Sequence, residues 1–187
     1  FAPPGDVAMV TPTYGSHAGA WRAVGRVVTE IATLEDAPAT ATVVVVCNPN
    51  NPDGGRIDPA VLGDFAKDRA LLVVDEAYAD TAPDGSRRPW CAERPAVVLR
   101  SFGKFYGLPG LRLGFVAGPA ALTQRLAGLL GSWPVSGPAI STATLPLADD
   151  EWAAATRATL DARCDRLRAL LHRFALDSFA AVKFMLE

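Results

Sequence analysis

The sequence is short of several things, and each shortage narrows its chemistry. It has three cysteines in 187 residues, Cys47, Cys91 and Cys164, widely spaced and without a CxxC pair. A disulfide framework and a thiolate zinc site are therefore both unexpected, and a reducing cytoplasm is the default setting. Neither sign of charge is in excess: 18 Lys and Arg against 20 Asp and Glu leave a formal net charge of −2. Interspersed charge of that size argues against nucleic acid or a membrane surface as the main partner. The basic dipeptide Arg87-Arg88 reads as solvated loop. No apolar run approaches the roughly 20 residues that a membrane helix needs. No signal-peptide pattern opens the chain, and internal repeats and low-complexity segments are missing.

What is present is apolar and punctuated. Half the residues are hydrophobic, enough for one globular domain with a real core and marginal for two. "VAMV" (7–10), "RVVTEIA" (26–32), "ATVVVVC" (41–47), "LLVV" (71–74), "AVVLRS" (96–101) and "LGFVAG" (113–118) read as strands. The continuous runs suit strands buried on both faces. Helices are expected over 18–25, over 59–70 with Asp58 as cap and Pro59 at the first position, and over 119–130. This alternation implies an α/β fold, a mostly parallel, doubly wound sheet with helices on both faces. After Pro146 the texture becomes one long helical pattern. Trp152, Thr156, Leu160, Cys164, Leu167, Leu171 and Phe174 fall on one stripe, with acids leading and bases trailing. Residues 1–145 are expected to form a binding domain, and 146–187 a connecting helix and the start of a smaller domain.

The polar residues that demand explanation fall at the carboxyl ends of expected strands, where open parallel sheets bind ligands. Asn51 follows "VVVVC", Asp75 ends "LLVV" with Glu76 and Tyr78 just beyond, and Lys104 follows "AVVLRS". A lysine amine has a reference pKa of about 10.4, so about one in 2,500 is neutral at pH 7. Desolvation or a nearby cation raises that fraction, and a neutral amine forms a Schiff base with an aldehyde. An aspartate in a strand-end crevice can keep a heteroaromatic nitrogen protonated. Tyr and Asn can donate to a phenolate oxygen, and Ser101, Arg112 and glycine amides can cradle a phosphate. An aldehyde, a ring nitrogen, a phenolate and a phosphate together describe pyridoxal 5′-phosphate (PLP). Two other readings of the same residues stay open here: Ser101 and Lys104 spell SxxK, and Asp75-Glu76 could be a metal pair or a Walker-B-like strand end.

"TPTYGSHAGAW", "NPNNPDGGR", "VVDEAYAD" and "SFGKFYGLPGLRLGF", in this order and spacing, resemble the aspartate-aminotransferase-like (fold-type I) PLP enzymes from about residue 7 to about residue 174. The resemblance implies that Lys104 carries the cofactor as a Schiff base and later moves protons. It implies that Asp75 pairs with the pyridine nitrogen, that Tyr78 and Asn51 contact the ring hydroxyl oxygen, and that Tyr14 stacks on the ring. His17 would bond Asp75 from behind, and Ser101 and Arg112 would hold the phosphate. On this view Lys104 can occupy an apolar run because it is stored as an imine.

Within the family the sequence is most similar to the histidinol-phosphate aminotransferase branch. Asp53 in place of the usual threonine, "SFGKF" at the lysine and "GSWPVSGPA" (131–139) resemble the L-threonine-O-3-phosphate decarboxylases of cobalamin biosynthesis. The resemblance also implies a small phosphorylated amino acid as substrate and a homodimer. It further implies a protein about twice this length, so that Phe1 and the tail 176–187, ending Leu-Glu, would belong to an incomplete chain. Glu76, His172 and the tryptophans Trp21, Trp90, Trp133 and Trp152 read as structural, with Trp133 the one nearest a diagnostic segment.

Overall fold

The computed structural model describes residues 2–83, 86 and 91–174. Phe1, Arg87-Arg88, Trp90 and the tail 176–187 lie outside the described residues. Six strands form one sheet: β1 (Asp6–Val10), β2 (Val28–Ile31), β3 (Ala41–Cys47), β4 (Leu71–Asp75), β5 (Ala96–Ser101) and β6 (Gly114–Ala117), in the order β2-β1-β3-β4-β5-β6. The first five are parallel, and β6 returns antiparallel to β5. The mostly parallel sheet expected from the strand–helix alternation is what forms.

The valine-rich runs are buried because both faces are covered. On one face Val44, Val46, Leu72, Val74 and Val98 pack with Leu34, Leu62 and Ala66. On the other Val43, Val45, Leu71, Val73 and Val97 pack with Met9 and Ala18, and Trp21 and Leu122 close over them. Alternate residues of one strand thus enter opposite cores, as the two-residue period of a strand requires. Each such side chain taken out of water stabilises the fold by about 1.5–3 kcal/mol. Helix α1 (Ser16–Ala23) supplies Ala18 and Trp21, α2 (Pro59–Phe65) supplies Leu62, and α3 (Ala120–Leu130) supplies Leu122. The Asp58 carboxylate accepts from the Ala60 amide at 2.7 Å, capping α2 as expected. α2 is shorter than its apolar pattern: it tightens to a 3-10 turn at Ala66–Asp68 before β4 begins.

Two helices follow: α4 (Gly137–Ala148) and α5 (Asp150–Arg173). α4 has no counterpart in the sequence reading. Its "GPAISTATLPLA" holds no charged residue, so no polar face marks a helical period, and Pro146 lies inside it. α5 begins after a single residue, Asp149, whose carboxylate accepts from the Trp152 amide at 2.8 Å. Its stripe departs from expectation at both ends. Ala153, Leu160 and Cys164 are the buried members, while Trp152 and Phe174 are exposed. Among the described residues no helix is long and apolar enough to cross a membrane.

Candidate active site

The site lies where parallel strands end. β3 and β4 finish in register, Cys47 opposite Asp75, and the Asn48 amide donates to the Asp75 carbonyl at 2.8 Å. The chain then turns through a loop held by its own side chains. The Asn48 side chain bonds Ile57 in both directions at 2.9 Å. The Asn50 amide donates to Asp53 and to the Pro12 carbonyl, each at 2.9 Å, and accepts from Thr13 at 2.8 Å. Asp53 also accepts from the Gly55 amide at 2.8 Å, closing the turn around Gly54, whose φ is +68°. This ties the segment carrying Tyr14 to the one carrying Asn51.

Both carboxylate oxygens of Asp75 are held. Its Oδ1 accepts from the Ala77 amide at 2.8 Å, and its Oδ2 lies 2.7 Å from His17 Nε2. The two side chains are about 15% exposed. The imidazole is raised from 6.5 to about 10, first by the bond to Asp75 and then by the neighbouring Cys47 sulfur, against desolvation that lowers it. At neutral pH His17 is therefore a cation beside Asp75. A carboxylate offers about four acceptor sites, so Asp75 retains capacity for a further donor.

Lys104 sits in a tight turn after β5. Phe102 and Phe105 on either side are buried, while Lys104 itself is exposed. Its Nζ lies 5.4 Å from the centroid of the Tyr78 ring, a cation–π distance. An imine is thus not needed to place a lysine in this apolar run, because the turn points the amine outward while its neighbours point in. Gly103 is required there, since a Cβ would come 2.8 Å from Pro109 Cα. The Gly103 amide donates to Ser101 Oγ at 3.2 Å. Arg112 has a left-handed backbone, φ +51°, a conformation that costs a non-glycine residue about 1–2 kcal/mol. Its Nη1 donates to the Pro109 carbonyl at 3.2 Å.

These groups meet in one cavity of about 320 Å³, at the small end of the roughly 300–1,000 Å³ typical of ligand pockets. Tyr14, Asn51, Asp75, Tyr78, Ser101, Lys104 and Arg112 all line it. Of the eight residues singled out in the sequence only His17 is off the lining; it sits behind Asp75. Trp133, 93% exposed, is not part of it. The open alternatives lose their basis. Asp75 and Glu76 diverge, Asp75 to His17 and Glu76 to a buried ion pair with Arg100 at 2.9 Å. The segment after Ser101 is a series of turns rather than the helix that SxxK chemistry requires.

Two features escaped the sequence reading. Arg100 lines the cavity, but its guanidinium is engaged by Glu76 and Asp80. Of the two cavity arginines, Arg112 donates to a carbonyl rather than to a carboxylate. The other is Cys47, which borders the cavity beside His17. The signal for it was available, since two parallel strands ending together put their last residues at one edge.

The chain was compared with known proteins. The family described as "Aminotransferase class I and II" matches residues 1–183. A threonine-phosphate decarboxylase of Pseudomonas aeruginosa is 42% identical over 176 residues, covering 90% of this chain and 53% of the relative. A histidinol-phosphate aminotransferase of Sodalis glossinidius is 40% identical over 112 residues, 58% of this chain and 31% of that protein. Among solved structures, a histidinol-phosphate aminotransferase of Sinorhizobium meliloti in complex with pyridoxal-5′-phosphate superposes with a TM-score of 0.86 at 22% identity, covering 95% of this chain and 54% of the other. The chain spans about half the length of the decarboxylase relative it matches.

Proposed function

The chain belongs to the aminotransferase class I and II family, and from that premise we propose that it binds pyridoxal 5′-phosphate and serves a decarboxylase of L-threonine O-3-phosphate. The product would be 1-aminopropan-2-ol O-phosphate, the linker made for cobalamin biosynthesis. The observation that carries the cofactor is the cavity shared by Lys104 and Asp75. The substrate rests on the 42% identity to a threonine-phosphate decarboxylase along nine-tenths of the chain.

The donor set fits the cofactor. Lys104 Nζ is the amine that bonds its aldehyde carbon. Ser101, the Gly103 region and Arg112 take the phosphate, as hydroxyl and guanidinium donors do. Tyr78 and Asn51 donate to the ring oxygen, and Tyr14 covers a ring face and keeps water from it. Asp75, hydrogen-bonded to His17 at 2.7 Å, would face the ring nitrogen. When bound, the cofactor supplies an electron sink that weakens whichever Cα bond stands perpendicular to its ring. Either loss of carbon dioxide or loss of the Cα proton could then follow, and Lys104 Nζ would be the group that accepts or returns that proton. The proposal includes a cytoplasmic homodimer, a binding domain over 1–145 and the start of a smaller one from 146.

Incubation with threonine phosphate tests it. Carbon dioxide released without a keto-acid acceptor supports the decarboxylase. Turnover that depends on 2-oxoglutarate overturns it in favour of the second reading, an aminotransferase of the histidinol-phosphate kind, which the 40% identity over 112 residues favours.

A further inference from the structure

Cys47 is the last residue of β3 and the register partner of Asp75 on β4. Register partners in a sheet send their side chains to the same face, so thiol and carboxylate leave the strand ends side by side. His17, from the first turn of α1, lies against both. One ligating atom from each of the three residues falls within 4.8 Å of the other two. Cys47 is 8% exposed and borders the candidate cavity.

We propose that Cys47 is a positioning residue for the acid at the ring-nitrogen end of the cavity: its sulfur is the second hydrogen-bond partner of His17 and holds the imidazole as the cation that backs Asp75. The part of this concerning a ring nitrogen rests on the cofactor reading above; the contact among the three side chains does not. An imidazolium carries two N–H donors. One is spent on Asp75 Oδ2 at 2.7 Å, and a ring with a single partner could still rotate or deprotonate. Cys47 is the second-largest cause of the upward displacement of His17, after Asp75. The groups facing His17 are Asp75 from β4, Cys47 from β3 and the Tyr14 ring, perpendicular to the imidazole with centroids 5.8 Å apart. The competing view is that Cys47 only fills space, as a small hydrophobe.

The chain contains two histidines, His17 and His172, so an NMR titration of histidine-labelled protein without cofactor reads His17 directly. His172, exposed at the end of α5, is the internal reference. Cys47→Ala lowers the His17 midpoint by roughly 0.5–1 unit, the scale of losing a hydrogen bond to the charged form. Cys47→Ser, which keeps an acceptor, stays near the parent. Should Cys47→Ala fail to fold, Cys47→Val carries the same prediction, since it keeps bulk and loses the acceptor. A parent-like His17 midpoint in the Ala or Val variant, or equal shifts in Ser and Ala, overturns the inference. In a second arm pyridoxal 5′-phosphate is added, and the pH midpoint of its bound yellow absorbance follows the same order, with Ala shifted and Ser not. No yellow complex in any variant, with the NMR shifts as expected, overturns the cofactor reading and leaves the Cys47–His17 contact supported. A yellow complex with an unmoved His17 midpoint does the reverse.

Discussion

The stretches of chain before and after Gly118 treat apolar side chains in opposite ways. Before it, the leucines and valines of β3, β4 and β5 are almost wholly buried between two layers of helix. After it, Leu129, Leu130, Trp133, Ile140 and Leu145 are all more than half exposed. The sheet closes its own core, and its register sets Asp75 beside Cys47 at the rim, to which α1 brings His17. Among the described residues the helical stretch meets Asp80, whose carbonyl accepts from Arg157 at 2.8 Å, and the Lys104 turn. There Phe105 packs with Ala153 and Leu160, Tyr106 stacks between Phe102 at 4.5 Å and Trp152 at 5.7 Å, and Arg157 covers Phe105 at 5.3 Å. The acid end of the cavity is therefore a property of the stretch before Gly118, whereas the amine end answers to both regions.

The sharpest way to test the junction is to remove the amine. Lys104→Ala abolishes borohydride-stable attachment of pyridoxal 5′-phosphate and lowers turnover by at least ~10²–10⁴-fold, the range of a positioned proton-transfer group. Mass spectrometry of the reduced protein checks the first, and carbon dioxide release the second. A variant that still carries one reduced adduct breaks the assignment of the amine.

The contrast in burial makes a paired prediction. Leu72→Ala, in the sheet interior at 0% exposure, costs about 2–5 kcal/mol in denaturant unfolding. Leu145→Ala, 79% exposed on α4, costs within about 0.5 kcal/mol. If the two cost the same, the helical stretch is packed in solution in a way that erases the difference between the regions.

Legibility in the sequence follows the same division. "ATVVVVC" predicts β3 to the residue because its β-branched run is buried on both faces and stops at the turn cluster that follows Cys47. That Asp75, Asn51 and Lys104 would meet was legible because each closes or follows such a run, and the sheet brings them to one cavity. α4 was illegible because periodicity needs contrast and "GPAISTATLPLA" supplies none. The outward turn of Lys104 was missed because a run of apolar residues says nothing about which of them a glycine-permitted turn will point inward. Trp152 was misplaced on the stripe because its ring stacks over Tyr106 at the rim while the smaller Ala153 takes the buried position.

A smaller effect tests the electrostatics of the acid end. The His17 value in the folded chain is raised from 6.5 to about 10. A group raised on folding contributes stability that is fully present below its unfolded value and is lost as pH climbs through the folded one. The stability gap between the parent and His17→Gln is therefore largest below pH 6.5 and closes as pH approaches about 10. Denaturant titrations across that window check it, and a gap that does not change with pH removes the imidazolium from behind Asp75.

The smallest effect separates the regions by position rather than by energy. Asp58 caps α2 on the sheet, and Asp149 caps α5 through the Trp152 amide. Replacing either with Ala costs about 1 kcal/mol, so stability alone cannot tell them apart. Their neighbours can. Loosening the first turn of α5 frees Trp152 from Tyr106 and Phe105 and so unpins the turn that carries Lys104. Loosening α2 disturbs a helix packed on Leu62 against the sheet. Hydrogen exchange at amides 102–107 therefore rises in Asp149→Ala and stays at the parent rate in Asp58→Ala. Equal exchange in the two variants means that the aromatic stack does not restrain the Lys104 turn, and that the amine end, like the acid end, depends on the stretch before Gly118.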